Sequence, residues 1–402
     1  MSLQNCPVCD LPDNGHLLHL NCGNLDHSAL YPVVRLTRCD RCGHIYNSLT
    51  ASEIARLATY YNEDYAPTNL QSVVKTGDLP GSTSKFTRER YQHLFDLLGP
   101  YLNADPAILD VGCAAGGFLD FLRDRGFTKL FGIEPTEAYL DRAKQNGYEV
   151  KRGQAEHLDY GNGMFDAVVI EQVLEHLEVP AQAFREAGRV LKPGGTLCIG
   201  VPDASRYTDL HYFDFYWLLM REHIQHFTPE SLVRLAAQHG FEPIVCQQTA
   251  LPLMGEAMVM PNLSVSFVLR GHVAEKKDPG TTSDPQNIKN YVDKELERLE
   301  ARRSLTQTIR DEQRAVYAWG IGREFLYLYE AAGLKHCNIR GLIDLNPFKQ
   351  RNVTVGGMKI SPPDILEKAP ENSVLIIGAQ AHKNDICRRV DALNFAGSIL
   401  DL

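Results

Sequence analysis

Short apolar runs and stretches of helical spacing alternate along most of this chain. Ile108-Leu109-Asp110-Val111 reads as a buried strand, and Phe118, Leu119, Phe121 and Leu122 follow at helical spacing. Further strand-like runs lie at Leu130–Ile133, Phe165–Ile170 and Thr196–Ile199, and again near 241–249 and 264–269, with a helix predicted from Pro229 to His239. This alternation predicts an α/β fold with a doubly wound, Rossmann-like central sheet. Residues 274–286 are polar and rich in Pro, Gly and Thr, which marks a linker. Beyond it Ile288, Val292, Leu296 and Leu299 space out a surface helix, and a second α/β unit starts at Ala315-Val316-Tyr317-Ala318. The expected division is 1–50, 51–84, 85–272, 273–313 and 314–402, with 51–84 a lid or substrate loop.

The strand at 108–111 runs into Gly112-Cys113-Ala114-Ala115-Gly116-Gly117. Small residues there let a ligand approach the backbone, and the helix that follows offers its free N–H groups. A glycine turn alone does not identify the ligand, because dinucleotide folds use one too. The second strand ends in Glu134, where a carboxylate can take both hydroxyls of a ribose. Then come Gly153-Gln154-Ala155-Glu156, the segment Glu171-Gln172-Val173-Leu174-Glu175-His176, and Leu191-Lys192-Pro193-Gly194-Gly195 before another strand.

In this order the motifs resemble those of class I S-adenosylmethionine-dependent methyltransferases, over roughly residues 85–270. The resemblance implies S-adenosylmethionine as cofactor. Asp110, Gly112, Ala114 and Gly116 would line its methionine and ribose portions, with Glu134 on the ribose. Ala155 and Glu156 would lie by the adenine, and Glu171 and Gln172 by the sulfonium end.

Cys6-Pro7-Val8-Cys9 and Cys39-Asp40-Arg41-Cys42 are two knuckles that together complete a tetrahedral thiolate site. Four protein ligands leave zinc no open position, so Zn2+ there is expected to be structural. The intervening Cys22, His16, His19 and His27 are substitute ligands at most. A zinc module raises the question of nucleic acid, but a formal net charge of −9 argues against a polyanionic partner. No basic-then-apolar leader and no apolar run long enough to span a bilayer is present, so a cytoplasmic protein without a membrane partner is expected.

In the C-terminal unit, Gly320-Ile321-Gly322 followed by Asp344 outlines a dinucleotide site, but Phe325 stands where a third glycine permits close helix–strand packing. A degenerate nucleotide-fold domain is expected there. With the zinc module and the central sheet, this architecture resembles the sugar C-methyltransferases of deoxysugar biosynthesis. That resemblance implies a small-molecule substrate, a nucleotide-linked keto sugar methylated at carbon through an enolate. By position it implies Glu222 and His223 as a catalytic pair, with His176 and Tyr65 as further catalytic residues. A histidine near neutral pKa suits proton removal next to a ketone, and a glutamate can hold its tautomer. Two segments depart from that family, the one after Tyr65 and Gly378–Asn384. An O- or N-methyltransferase of another natural product is therefore the alternative, ahead of an RNA methyltransferase using the zinc module.

Overall fold

The computed structural model describes residues 5–12, 14–21, 30–61, 85–209, 216–253, 258–271 and 285–400. They form two compact units. The first holds the N-terminal module and the central sheet, and the second holds the chain from Tyr291 onward with short pieces near 30–32 and 216–217.

In the N-terminal module, β1 (Asn14–Asn21), β2 (Val33–Cys39) and β3 (Ile45–Asn47) line up in that order. Val34 and Leu36 alternate inward along β2, as a half-buried strand requires. The fourth place in this sheet goes to Gln225–His226, which comes from the central domain and pairs with β3. Next, Ala51–Thr59 is a helix, where the sequence led us to expect the start of a loop. Thr50 caps it, accepting from the Glu53 amide, while the Glu53 side chain reaches back to the Thr50 amide. The remainder of that segment, residues 62–84 with Tyr65, lies outside the described residues.

The central sheet contains β4 (Ala107–Val111), β5 (Lys129–Glu134), β6 (Glu149–Arg152), β7 (Phe165–Glu171) and β8 (Leu191–Pro202). After the short β9 (Gln225–His226) come β10 (Phe241–Leu253) and β11 (Met258–Leu269). Their order is β10-β11-β8-β7-β4-β5-β6, parallel from β8 to β6, with β11 and β10 added antiparallel. Among the parallel strands chain order runs outward in both directions from the β4/β7 pair. In an open α/β sheet that reversal leaves a crevice beyond the strand carboxyl ends, where ligands bind. Val111 pairs with Ile170 there, so the glycine loop after β4 and the Glu171–His176 segment after β7 leave the sheet side by side.

The second unit repeats the design on a smaller scale. Its strands are β12 (Ala315–Trp319), β13 (Asn338–Ile343), β14 (Thr354–Val355), β15 (Met358–Ser361), β16 (Val374–Ile377) and β17 (Ser398–Leu400). They follow the order β14-β15-β13-β12-β16-β17, with only β14 antiparallel to its neighbour. The surface helix expected ahead of this unit spans Gln286–Asp311. Among the described residues no helix is long and apolar enough to cross a membrane.

Candidate active site

The loop after β4 is built for close backbone approach. Gly112, Ala114 and Gly116 all have positive φ (78°, 45° and 85°). For an L-residue such as Ala114 this region is costly, and such strain gathers at functional sites. A Cβ on Gly112 would stand 2.5 Å from Val173 Cγ2, so only glycine lets the loop pass the segment after β7. The Gly112 and Cys113 amides both donate to the Ile133 carbonyl, tying the loop to β5. Gly116 then caps the helix Gly117–Arg123, whose first N–H groups open toward the loop.

Acidic side chains converge on this loop. Glu134, buried at the end of β5, accepts from the Ala114 amide at 3.0 Å and the Thr136 amide at 2.9 Å, one on each oxygen. Each oxygen keeps a second lone pair for a ligand hydroxyl. Asp110 is buried and accepts no hydrogen bond among the described residues. Burial, then the charges of Glu134 and Glu171, push its pKa up to about 7. Burial also raises Glu134 and Glu171. Buried Asp110 and Glu134 and the partly buried Glu171, with the Arg90 guanidinium 3.4 Å from Glu171 as the cation paired with them among the described residues, make a site rich in negative charge. A cationic ligand suits it.

Glu171 and Gln172 are partly committed elsewhere. The Glu171 carboxylate rests on Gly200, where a Cβ would fall 1.6 Å from its Oε2. Gln172 takes φ 54°, and its side-chain amide donates to Asn262. Ala155 is buried at the end of a small bridge between Gln154 and His157, and Glu156 is raised by burial.

Beside the loop, Leu174–His176 forms a single 3-10 turn, and a longer helix begins only at Pro180. His176 Nδ1 lies 3.0 Å from the Glu222 carbonyl and 3.0 Å from the Tyr61 hydroxyl. The carbonyl can only accept, so Nδ1 carries the proton and Nε2 the lone pair. Burial lowers the His176 pKa and favours this neutral ring. His223 stacks edge-on against His176 with ring centroids 5.0 Å apart. The expectation that Glu222 orients His223 is not what the described contacts show. Instead His223 Nδ1 faces the Leu218 carbonyl at 3.4 Å, and the Glu222 carboxylate accepts from the Tyr60 hydroxyl at 2.9 Å.

The carboxylate beside the two rings is Glu175. It is 1% exposed, its Oε1 lies 3.8 Å from His176 Nε2, and burial pushes its pKa up to about 8. Tyr60 and Tyr61, at the end of the first helix, join this cluster although motif spacing gave no sign of them. The Thr50-x-x-Glu53 capping box was the one clue that a helix would carry them there.

Two segments of the cluster are stitched to the N-terminal module. The Asn47 amide donates to Ile224, the Ile224 amide donates to Glu175, and Gln225 bridges His44 to the Leu177 carbonyl. In that module Cys6, Cys9, Cys39 and Cys42 converge, with Cys6–Cys42 and Cys9–Cys39 sulfurs each 3.5 Å apart. Zinc bonds to sulfur of about 2.3 Å place tetrahedral sulfurs roughly 3.8 Å apart, so the donor set fits that ion. Cys22 lies outside the described residues.

Residues 84–247 match the family model of a methyltransferase domain. The middle of the chain is a methyltransferase domain. Its sheet order and motifs resemble those of the class I S-adenosylmethionine-dependent kind. The chain is 29% identical over 142 residues to a probable S-adenosylmethionine-dependent methyltransferase of Mycolicibacterium smegmatis, covering 34% of this chain and 51% of that protein. It is 32% identical over 115 residues to an uncharacterized methyltransferase of Schizosaccharomyces pombe, covering 24% of this chain and 40% of that one. The match thus spans about half or less of these relatives' own length. Among solved structures, a methyltransferase of Methanosarcina mazei aligns with TM-score 0.36 and 19% identity, covering 42% of this chain and 95% of that one.

Proposed function

We propose that the protein transfers the methyl group of S-adenosylmethionine to a carbon of a small-molecule acceptor, a nucleotide-linked keto sugar. The observation that carries this is the join between the two sites. Val173 packs on Gly112 of the cofactor loop, and the turn with Glu175 and His176 begins one residue later. Methyl donor and acceptor chemistry are thereby held a few side chains apart.

S-adenosylmethionine supplies an electrophilic methyl group on a sulfonium. Asp110 and Glu134 hold the cationic donor, with the ribose hydroxyls on Glu134. Ala155 and Glu156 border the adenine, while Glu171 and Gln172 border the sulfonium. The chain must then supply a nucleophile aligned with the methyl–sulfur bond. The Glu222–His223 pair takes the proton from the carbon next to the acceptor ketone, and that C–H electron pair moves to the enolate. Tyr65, from the preceding segment, donates its hydroxyl to the enolate oxygen, and His176 shapes the site beside it. The enolate carbon forms the new C–C bond as the C–S bond breaks, leaving the neutral thioether. Four-cysteine zinc is structural, and it steadies the module to which residues 224–226 are paired. An O- or N-methyltransferase is the second reading, because the same base serves a hydroxyl.

The test combines labelled S-adenosylmethionine with a panel of nucleotide-linked keto sugars and hydroxylated acceptors. Carbon methylation, with solvent deuterium entering beside the ketone, supports the proposal. Label found only on oxygen or nitrogen acceptors, without exchange, overturns it in favour of the second reading.

A further inference from the structure

The carboxylate of Glu175 sits in a place that its surroundings do not explain. It is 1% exposed, and neither side-chain oxygen has a hydrogen-bond partner among the described residues. A buried carboxylate without a donor is strongly disfavoured, so such a group needs either a proton or a cation. Its neighbours are imidazoles. His176 turns Nε2 toward it because Nδ1 is fixed on the Glu222 carbonyl. His223 has its Nδ1 on the Leu218 carbonyl. Metal-bound histidines are oriented in this way, with the far ring nitrogen donating to a backbone carbonyl. One ligand atom from each of Glu175, His176 and His223 lies within 4.8 Å of the other two.

We propose that Glu175, His176 and His223 form a binding site for a first-row divalent cation, separate from the four-cysteine site. Two imidazoles and one carboxylate suit such an ion, and three protein ligands leave positions open for an acceptor oxygen. Bonds of about 2.1 Å set neighbouring ligands roughly 3 Å apart, so small side-chain rotations draw the three inward. The inference deepens the methyltransferase proposal and rests on it for the role of the ion. With the ion bound, the cation polarises the acceptor oxygen and His223 serves as a ligand, so that of the Glu222–His223 pair it is the Glu222 carboxylate, held by Tyr60, that takes the proton.

Mn2+ is the probe, because it is a hard ion that thiolates do not favour and it leaves zinc in the cysteine site. Titration into the full-length, zinc-loaded protein, followed by the loss of the free Mn2+ electron paramagnetic resonance signal, should give one saturable site per chain. Glu175→Gln and His223→Ala should each weaken it by more than about tenfold, since even partners outside the ligand set cost 10–100-fold. His176→Asn serves as the second variant should either fail to keep its zinc and its melting temperature. Absence of saturable Mn2+ binding, or affinity unchanged in the folded variants, overturns the site and leaves Glu175 a protonated acid. A methyltransferase that transfers its label without a bound cation overturns the catalytic role alone. Mn2+ binding by a chain that does not bind S-adenosylmethionine supports the site and instead sinks the function proposed above.

Discussion

The chain contains two strand–glycine-turn–helix units with an acid at the end of the following strand, and they resolve that acid differently. In the central domain Glu134 accepts two backbone amides, Asp110 beside it accepts no hydrogen bond among the described residues, and the acids there outnumber the Arg90 guanidinium on Glu171. In the C-terminal domain Asp344 accepts from the Ile321 and Asn346 amides and from Lys349 Nζ at 2.9 Å. Lys349 also donates to the Ile321 carbonyl at the turn itself. An ammonium from the chain thus stands where a ligand would meet the acid. The same outline makes a ligand site in one domain and a self-satisfied structural turn in the other.

Phe325 explains how the second turn closes without its third glycine. Its ring is fully buried, and the space comes from Gly378, where a Cβ would lie 2.8 Å from Phe325 Cβ and 2.6 Å from the Gly320 carbonyl. The small residue has moved to the neighbouring strand. Phe325→Ala should therefore cost about 3–5 kcal/mol in unfolding of the C-terminal domain. Calorimetric melting checks this, and S-adenosylmethionine affinity should stay as in the wild type.

Matched glycine substitutions sharpen the contrast with a smaller cost. Gly112→Ala puts a Cβ at φ 78° and 2.5 Å from Val173, and Gly320→Ala puts one at φ 91° and 2.4 Å from Ala379 Cβ. Each left-handed alanine costs about 1–2 kcal/mol before the clash is counted. Both variants should melt earlier, whereas only Gly112→Ala should lose S-adenosylmethionine binding in a titration.

The acid-rich pocket has the smallest signature, in its pH dependence. With its pKa near 7, folded Asp110 keeps a proton that the unfolded chain releases near pH 4. The folded state then holds more protons between those values, so its stability falls as pH rises from about 4 to 7. The slope from one such group is at most about 1.4 kcal/mol per pH unit. Urea unfolding across this range should show the fall, and Asp110→Asn should flatten it.

Much of this was legible in the sequence because it is carried by local patterns. The glycine loop, the acids at 110 and 134, the paired cysteine knuckles and the C-terminal repeat all announce themselves by spacing. The domain match bears out the methyltransferase fold. What stayed hidden depends on contacts between distant segments. Nothing near Glu175 shows that it will be buried beside His223. The pairing of Gln225–His226 with the N-terminal module is equally non-local, joining residues 45 and 226. The helix at Ala51–Thr59 is the exception, because the Thr50 and Glu53 capping box that starts it is a local pattern.

The most direct measurement is a calorimetric titration of the full chain with S-adenosylmethionine, repeated for Glu134→Gln and Asp344→Asn. One site per chain is expected in the wild type. Loss of a hydrogen bond to a charged group, about 1.5–3 kcal/mol, should weaken it by roughly 10–150-fold in Glu134→Gln. Asp344→Asn should bind as the wild type does. No binding in the wild type, or binding that depends on Asp344 and not on Glu134, would contradict the account.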